Sequence, residues 1–435
     1  MSFSRVRAFA LVLIGFGCCA VAALALDAPP TQHRIRTTER HPVVSHRATS
    51  HHSAAAKPAA KSATARTTPK AAPAREQAHL TAHGKARASA RKAARSVGRR
   101  HHSYERFTAS SFANSDLLAG DVTAGEDPVV RQAAIDALGD MNGTAVVIDP
   151  SNGRILAMVN QKLALSPGAE PCSTIKLTVA MAALSEGLVT RETPVQLAGF
   201  RMNMTQALAK SNNLYFEELG REMGFERVRH YANQFGLGEL AGYNIQGEQL
   251  GVYPDQELPA AEGGVGRMCS FGQGVSLTPL QLGAFVAAIA NGGTLYYLQH
   301  PTTPEEAASF APKIKRTLDI ARYVPDLEDG MAAAVEYGTA RRLRASFNEL
   351  PVFGKTGTCS DKGTRFGWFV SWSDSPQGSL VTVFFLEGGR PTFGPRAAEL
   401  TGEFYKNLWD SNWFASKGQQ DAAAIPTMPS QQAQP

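Results

Sequence analysis

At 435 residues, with 43% hydrophobic and 19% charged side chains, the chain has room for two or three domains and enough apolar residues to bury a core. Its net charge of +6 is unevenly placed: residues 27–106 hold 17 Lys+Arg against 4 Asp+Glu, whereas residues 107–435 hold 25 against 34. Nine of the eleven histidines fall between His33 and His102, and Cys172, Cys269 and Cys359 lack C-x-x-C spacing, which argues against a metal centre in the globular part and against a disulfide framework.

In chain order, Arg5 and Arg7 precede an uncharged run from Ala8 to Leu26. The run is long enough to cross a bilayer, with the arginines on the cytoplasmic side. Ala23-Leu24-Ala25 also resembles a signal-peptidase site. Residues 1–26 are therefore expected to be a signal anchor in the inner membrane or a cleaved signal peptide, and either one places the rest outside the cytoplasm. Residues 27–115, rich in Ala, His, Lys, Arg, Thr and Pro, are expected to be a disordered basic linker. Its Lys85–Arg100 stretch suits a solvated spacer or a contact with anionic lipid or wall polymer; export fits poorly with nucleic-acid binding.

Folded structure is expected from 116 to 412. Asp127–Leu138 reads as a helix, and Gly143–Val159 as two β-prone runs joined by the Asp-Pro-Ser-Asn-Gly turn. Helices are expected after Pro171, then at Thr205–Leu219, Phe225–Phe235, Pro279–Asn291 and near Asp329–Arg344. Strands follow at Leu350–Thr358, Gly367–Ser373 and Leu380–Leu386, a helix at Ala397–Trp409, and a disordered tail at 413–435. Strands at both ends with helices between them predict an α+β fold: one antiparallel sheet flanked by helices, with an inserted all-helical subdomain.

Three clusters carry candidate chemistry. In Ser173-Thr174-Ile175-Lys176 a hydroxyl and an amine lie three residues apart on one helix face. A lysine desolvated by apolar neighbours can take the proton that makes serine nucleophilic. Lys210-Ser211-Asn212-Asn213 supplies a second hydroxyl, a second amine and a carboxamide. Lys355-Thr356-Gly357-Thr358, on an expected strand, offers a fixed charge, two hydroxyls for a carboxylate, and a glycine where another backbone can approach. Taken singly, each cluster is equally readable as helix caps or a turn.

In this order the three clusters resemble the serine penicillin-binding proteins and the related β-lactamases, whose signatures are Ser-x-x-Lys, Ser-x-Asn and Lys-Thr-Gly. Ser270-Phe271-Gly272-Gln273-Gly274 with Leu277–Leu282, Tyr337-Gly338-Thr339-Ala340 and Trp368-Phe369-Val370 add to the likeness, which spans about Asn142–Trp409. The resemblance implies a peptidoglycan D,D-transpeptidase without cofactor or metal, acting on D-Ala-D-Ala stem peptides and inhibited by β-lactams. Ser173, Lys176 and Ser211 would be catalytic, and Asn213, Lys355, Thr356, Gly357 and Thr358 would bind substrate. The backbone N–H groups of Ser173 and Thr358 would form the oxyanion hole. A glycan polymerase is a candidate partner.

The sequence also departs from the family. Cys172 stands where a glycine or another small residue is usual, and is read as a packed small side chain. A Cys269–Cys359 bridge is allowed in an oxidising compartment. The Glu192–Met204 segment looks trimmed. The competing functions are a D,D-carboxypeptidase or endopeptidase, a serine β-lactamase with Glu192 or Glu248 as deacylation base, and a non-catalytic wall-binding scaffold.

Overall fold

The computed structural model describes residues 106–417, apart from Gln377. The expected membrane anchor, nearly all of the basic linker and the end of the tail lie outside those residues. Among the described residues no helix is long and apolar enough to cross a membrane.

The first folded element is helix α1 (Pro128–Leu138), started by Asp127, whose carboxylate accepts from the N–H groups of Val129 and Val130. Strands β1 (Gly143–Asp149) and β2 (Arg154–Val159) form the expected hairpin. The chain then leaves the sheet for almost two hundred residues and returns as β7 (Val352–Asp361), β8 (Thr364–Ser375) and β9 (Gly378–Gly388). Between them lie two small hairpins, β3 (Val195–Leu197) with β4 (Phe200–Met202) and β5 (Thr294–Tyr297) with β6 (Lys313–Thr317).

The main sheet has the order β2-β1-β9-β8-β7, antiparallel throughout, so β7 is an outer strand. Its central strands are apolar on both faces because both faces are covered. Ala145, Val147, Phe369, Phe384 and Leu386 meet α1 and the closing helix α9 (Gly394–Asp410). Val146, Ile148, Trp368, Val370, Val383 and Phe385 face the inserted helices. Helix α7 (Pro279–Ala290), capped by a Thr278–Gln281 capping box, lies against the sheet, and Gly283 makes room for Ile148. This is the expected α+β fold.

Besides two short helices at Gln161–Ala164 and Pro304–Ala308, the other inserted helices are α2 (Lys176–Ser185), α3 (Met204–Lys210), α4 (Asn213–Met223), α5 (Phe225–Gln234), α6 (Gly264–Phe271) and α8 (Val324–Glu336). Two expectations need correction. The helix expected at Thr205–Leu219 is two helices, because Ser211 takes a left-handed conformation at φ 52° and ends α3. The helix expected near Asp329–Arg344 starts earlier, at Val324, and gives way to a 3-10 turn at Arg341–Ala345.

The folded part also outruns the boundaries expected at 116 and 412. Ser111 is buried, its hydroxyl pairs with Thr392 at 2.8 Å, and Phe112 bridges to Met141. At the other end Trp413 and Phe414 are buried, Trp413 Nε1 donates to Asp127 at 2.8 Å, and Lys417 pairs with Asp149 at 2.9 Å. Residues 413–417 therefore belong to the domain, not to a disordered tail. Large aromatic anchors are invisible to a composition argument that counts the Gln, Ala and Pro around them.

Candidate active site

Pro171 ends the preceding segment, and residues Cys172–Ile175 form a 3-10 turn that runs directly into α2. Ser173 stands in the turn and Lys176 at the first α-helical position. Lys176 Nζ is 2.6 Å from Ser173 Oγ, as the three-residue spacing predicts. Cys172 adopts φ 52°, a left-handed conformation rare outside glycine and asparagine. Glycine would adopt this conformation without the Cβ penalty.

The second cluster is not helical through its length. Ser211 sits in the break between α3 and α4, and the Asn212 side chain caps α4 by accepting from Tyr215 N at 3.0 Å. This turn aims Ser211 and Asn213 at the lysine: Nζ of Lys176 lies 3.4 Å from Ser211 Oγ and 2.7 Å from Asn213 Oδ1. Lys210, in contrast, is exposed at the end of α3 and makes no part of this network.

Strand β7 supplies the third wall. Lys355 Nζ donates to Ser211 Oγ at 2.8 Å and to its neighbour's carbonyl, Thr356 O, at 3.0 Å. Thr356 Oγ1 donates to Thr339 Oγ1 at 2.7 Å, while Thr358 Oγ1 accepts from Gly394 N, at the start of α9, at 2.8 Å. Gly357 is required by the approach of the nucleophile turn, because a Cβ there would lie 2.9 Å from the Pro171 carbonyl oxygen. The eight predicted site residues are thus gathered in one cleft. The Lys176 and Lys355 amines meet at Ser211.

Both amines are fully buried, and their polar partners are hydroxyl, amide and carbonyl oxygens. Burial therefore favours the neutral amine. It holds Lys176 well below the ordinary lysine value, assisted by the Lys355 charge and opposed by Glu217. It pushes Lys355 down to about 7. A neutral Lys176 has one lone pair and two N–H bonds. The lone pair can accept the Ser173 proton while the two hydrogens point to Asn213 and Ser211.

Three contributors escaped the sequence reading. Asn212 fixes the turn that presents Ser211, a role signalled only by its place three residues before Tyr215. Thr339 ties α3 to β7: its N–H donates to Ala209 O at 3.1 Å, beneath Gly338, whose missing side chain admits the Ala209 carbonyl. Cys172 is not an isolated thiol. It is disulfide-bonded to Cys359, with the two Cα atoms 5.5 Å apart, and among the described residues Cys269 is the free cysteine, fully buried. The Cys269–Cys359 bridge that the sequence allowed is not formed, because Cys359 pairs with Cys172. Sequence separation carries no information about which thiols the fold brings together.

Neither carboxylate considered for deacylation reaches Ser173. Glu248 accepts from Ala241 N and Gly242 N at 2.8 and 3.0 Å, bracing its own loop, and Glu192 is exposed. The segment carrying Glu192, expected to be trimmed, holds the small β3–β4 hairpin.

The family model described as the penicillin binding protein transpeptidase domain matches residues 143–406. Stage V sporulation protein D of Bacillus subtilis is 27% identical over 316 residues, covering 60% of this chain and 48% of that protein. Peptidoglycan D,D-transpeptidase MrdA of Acinetobacter baumannii is 26% identical over 383 residues, covering 68% and 56%. The chain thus spans about half the length of these relatives. In structure it is similar to Pseudomonas aeruginosa PBP2 solved with WCK 5153, at TM-score 0.55 and 22% identity over 66% of this chain and 77% of that one. Penicillin-binding protein A from M. tuberculosis, solved as a ceftriaxone acyl-enzyme complex, gives TM-score 0.55 and 20% identity over 65% and 78%.

Proposed function

Since the chain belongs to the penicillin-binding protein transpeptidase family, we propose that it is a peptidoglycan D,D-transpeptidase working through an acyl-enzyme on Ser173. The observation that carries this is the buried Lys176 amine, 2.6 Å from Ser173 Oγ and held toward its neutral form. Ser173 attacks the penultimate D-alanine carbonyl of a stem peptide, and its proton passes to Lys176 Nζ. The oxyanion that forms lies against the N–H groups of Ser173 and Thr358, donors of a kind that contribute about 3–4 kcal/mol each to such transition states. Ser211, between Lys176 and Lys355, returns the proton to the departing D-alanine amine. Asn213 orients the peptide amide, and Lys355 with Thr356 and Thr358 holds the terminal carboxylate. Gly357 keeps that strand clear for an extended peptide.

An amine of a second stem peptide then takes the acyl group, making a cross-link and freeing Ser173. If water takes it, the outcome is D,D-carboxypeptidase activity. Glu248, which braces its own loop, and the exposed Glu192 lend no support to a β-lactamase reading that would use either as the deacylation base. Substrates of this kind place the domain on the outer side of the cytoplasmic membrane, tethered by residues 1–26 or released from them. The basic linker then faces anionic lipid or wall polymer, and a glycan polymerase is the natural supplier of the strand. Ser173→Ala should abolish covalent labelling by a fluorescent penicillin. Stoichiometric labelling of that variant would overturn the assignment.

A further inference from the structure

We propose that the Cys172–Cys359 disulfide is a positioning brace for acyl transfer: it fixes the gap between the nucleophile turn and strand β7, and opening it leaves a folded protein that acylates slowly. The inference rests on the preceding reading, in which Ser173 and Thr358 N–H groups receive the oxyanion. One bonded cysteine immediately precedes Ser173, and the other immediately follows Thr358. The bond thus joins the two donor-bearing backbones one residue away from each donor. Oxyanion stabilisation depends on where the donors sit, so this gap is a quantity the reaction reads directly.

The surroundings explain why a covalent tie acts here. The turn has no side-chain cap, and Cys172 occupies a left-handed conformation that an L side chain disfavours. Two glycines border the turn: a Cβ on Gly357 would lie 2.9 Å from Pro171 O, and one on Gly272 would lie 2.6 Å from Pro171 Cγ. They allow the close approach, and the side-chain hydrogen bond that ties the segment to the sheet, Trp368 Nε1 to Glu170 O at 3.0 Å, comes from β8 and not from β7. On the strand side, β7 is paired only with β8, so its cleft edge is not held by a further strand.

The bond is also chemically addressable from one side. Cys172 is 1% exposed, whereas Cys359 is half-buried. A dithiol reductant would therefore attack Cys359 Sγ and expel the Cys172 thiolate, which takes up a proton. The reductant's second thiol then resolves the mixed disulfide. The protein gains two thiols as the dithiol becomes a disulfide, which balances the two electrons.

The test compares the oxidised chain, the chain reduced by a dithiol, and the Cys172→Gly/Cys359→Ser variant, in which glycine accepts the left-handed backbone. Acylation by a fluorescent penicillin is resolved into non-covalent affinity and acylation rate, with thermal melts in parallel. The expected result is a cooperative melt for all three, with acylation roughly tenfold slower or more in the last two and affinity little changed; removing one oxyanion donor outright costs about 10²–10³-fold. Reoxidation of the reduced wild-type chain restores its rate. Equal rates overturn the proposal, as does a slow rate that tracks the unfolded fraction or resides wholly in affinity. Failure of the oxidised chain to label would instead sink the transpeptidase reading itself.

Discussion

At the residue scale the proposed mechanism asks the site to keep one amine neutral beside the Ser173 hydroxyl and another charged for the carboxylate of the substrate. These demands oppose each other because both lysines are buried. On that mechanism Lys176 must lose its proton to accept that of Ser173, so acid should suppress acylation. On the proposed mechanism Lys355 must keep its proton to attract the substrate carboxylate, and its value of about 7 places the loss of that charge near neutrality. The second-order acylation constant should therefore rise with pH, then fall as Lys355 deprotonates above about 7 in the free protein. Lys355→Arg should lower the maximum and flatten the alkaline limb, since a guanidinium stays charged. Penicillin acylation followed from about pH 5 to about pH 9 decides it, given ordinary lysine and arginine behaviour. An unchanged alkaline limb in that variant would move the titration to another group.

At the element scale the wall made by Ser211 depends on a helix break. Asn212→Ala removes the cap of α4 and should cost about 1 kcal/mol of stability. It should also slow acylation more than a similar loss elsewhere, because the same turn presents Ser211 and Asn213 to Lys176. Thermal unfolding beside penicillin labelling separates the two effects. This break also marks where the sequence was legible and where it was not. The five strands of the main sheet, α7 and α9 announce themselves by apolar runs, whereas the short β3–β4 and β5–β6 hairpins do not, and the Ser173–Lys176 pairing follows from helical spacing alone. Thr205–Leu219 reads as one helix because its residues are helix-compatible on both sides of Ser211. The left-handed turn there is imposed by tertiary contacts, with Thr339 and Gly338 closing on Ala209. Likewise, no spacing rule pairs Cys172 with Cys359, since strand β7 reaches the nucleophile turn only through the order of the sheet.

At the scale of the whole molecule, the sheet separates a layer made by α1 and α9 from the helices that carry the nucleophile. The last described residues lock the first of these layers. Asp127 caps α1 through one carboxylate oxygen and accepts Trp413 Nε1 through the other. Ending the chain after Asn412 should remove the buried Trp413 and Phe414 and the Lys417–Asp149 pair. Loss of large buried aromatics costs about 3–5 kcal/mol each at core positions, so a clear drop in melting temperature is expected. Acylation of the folded fraction at 25 °C should be unchanged. A shortened chain that melts like the longer one would show that this lock contributes little. The disulfide works on the other layer and alters the molecule's connectivity. Cys172 and Cys359 are 187 residues apart, so the inserted helices form a closed covalent loop. A peptide bond cut inside it, as in the run from Tyr243 to Val252 where several side chains are exposed, would put Ser173, Lys176 and Ser211 on one fragment and Lys355 on the other. The two halves of the cleft would nevertheless remain a single molecule until the sulfur bridge is opened.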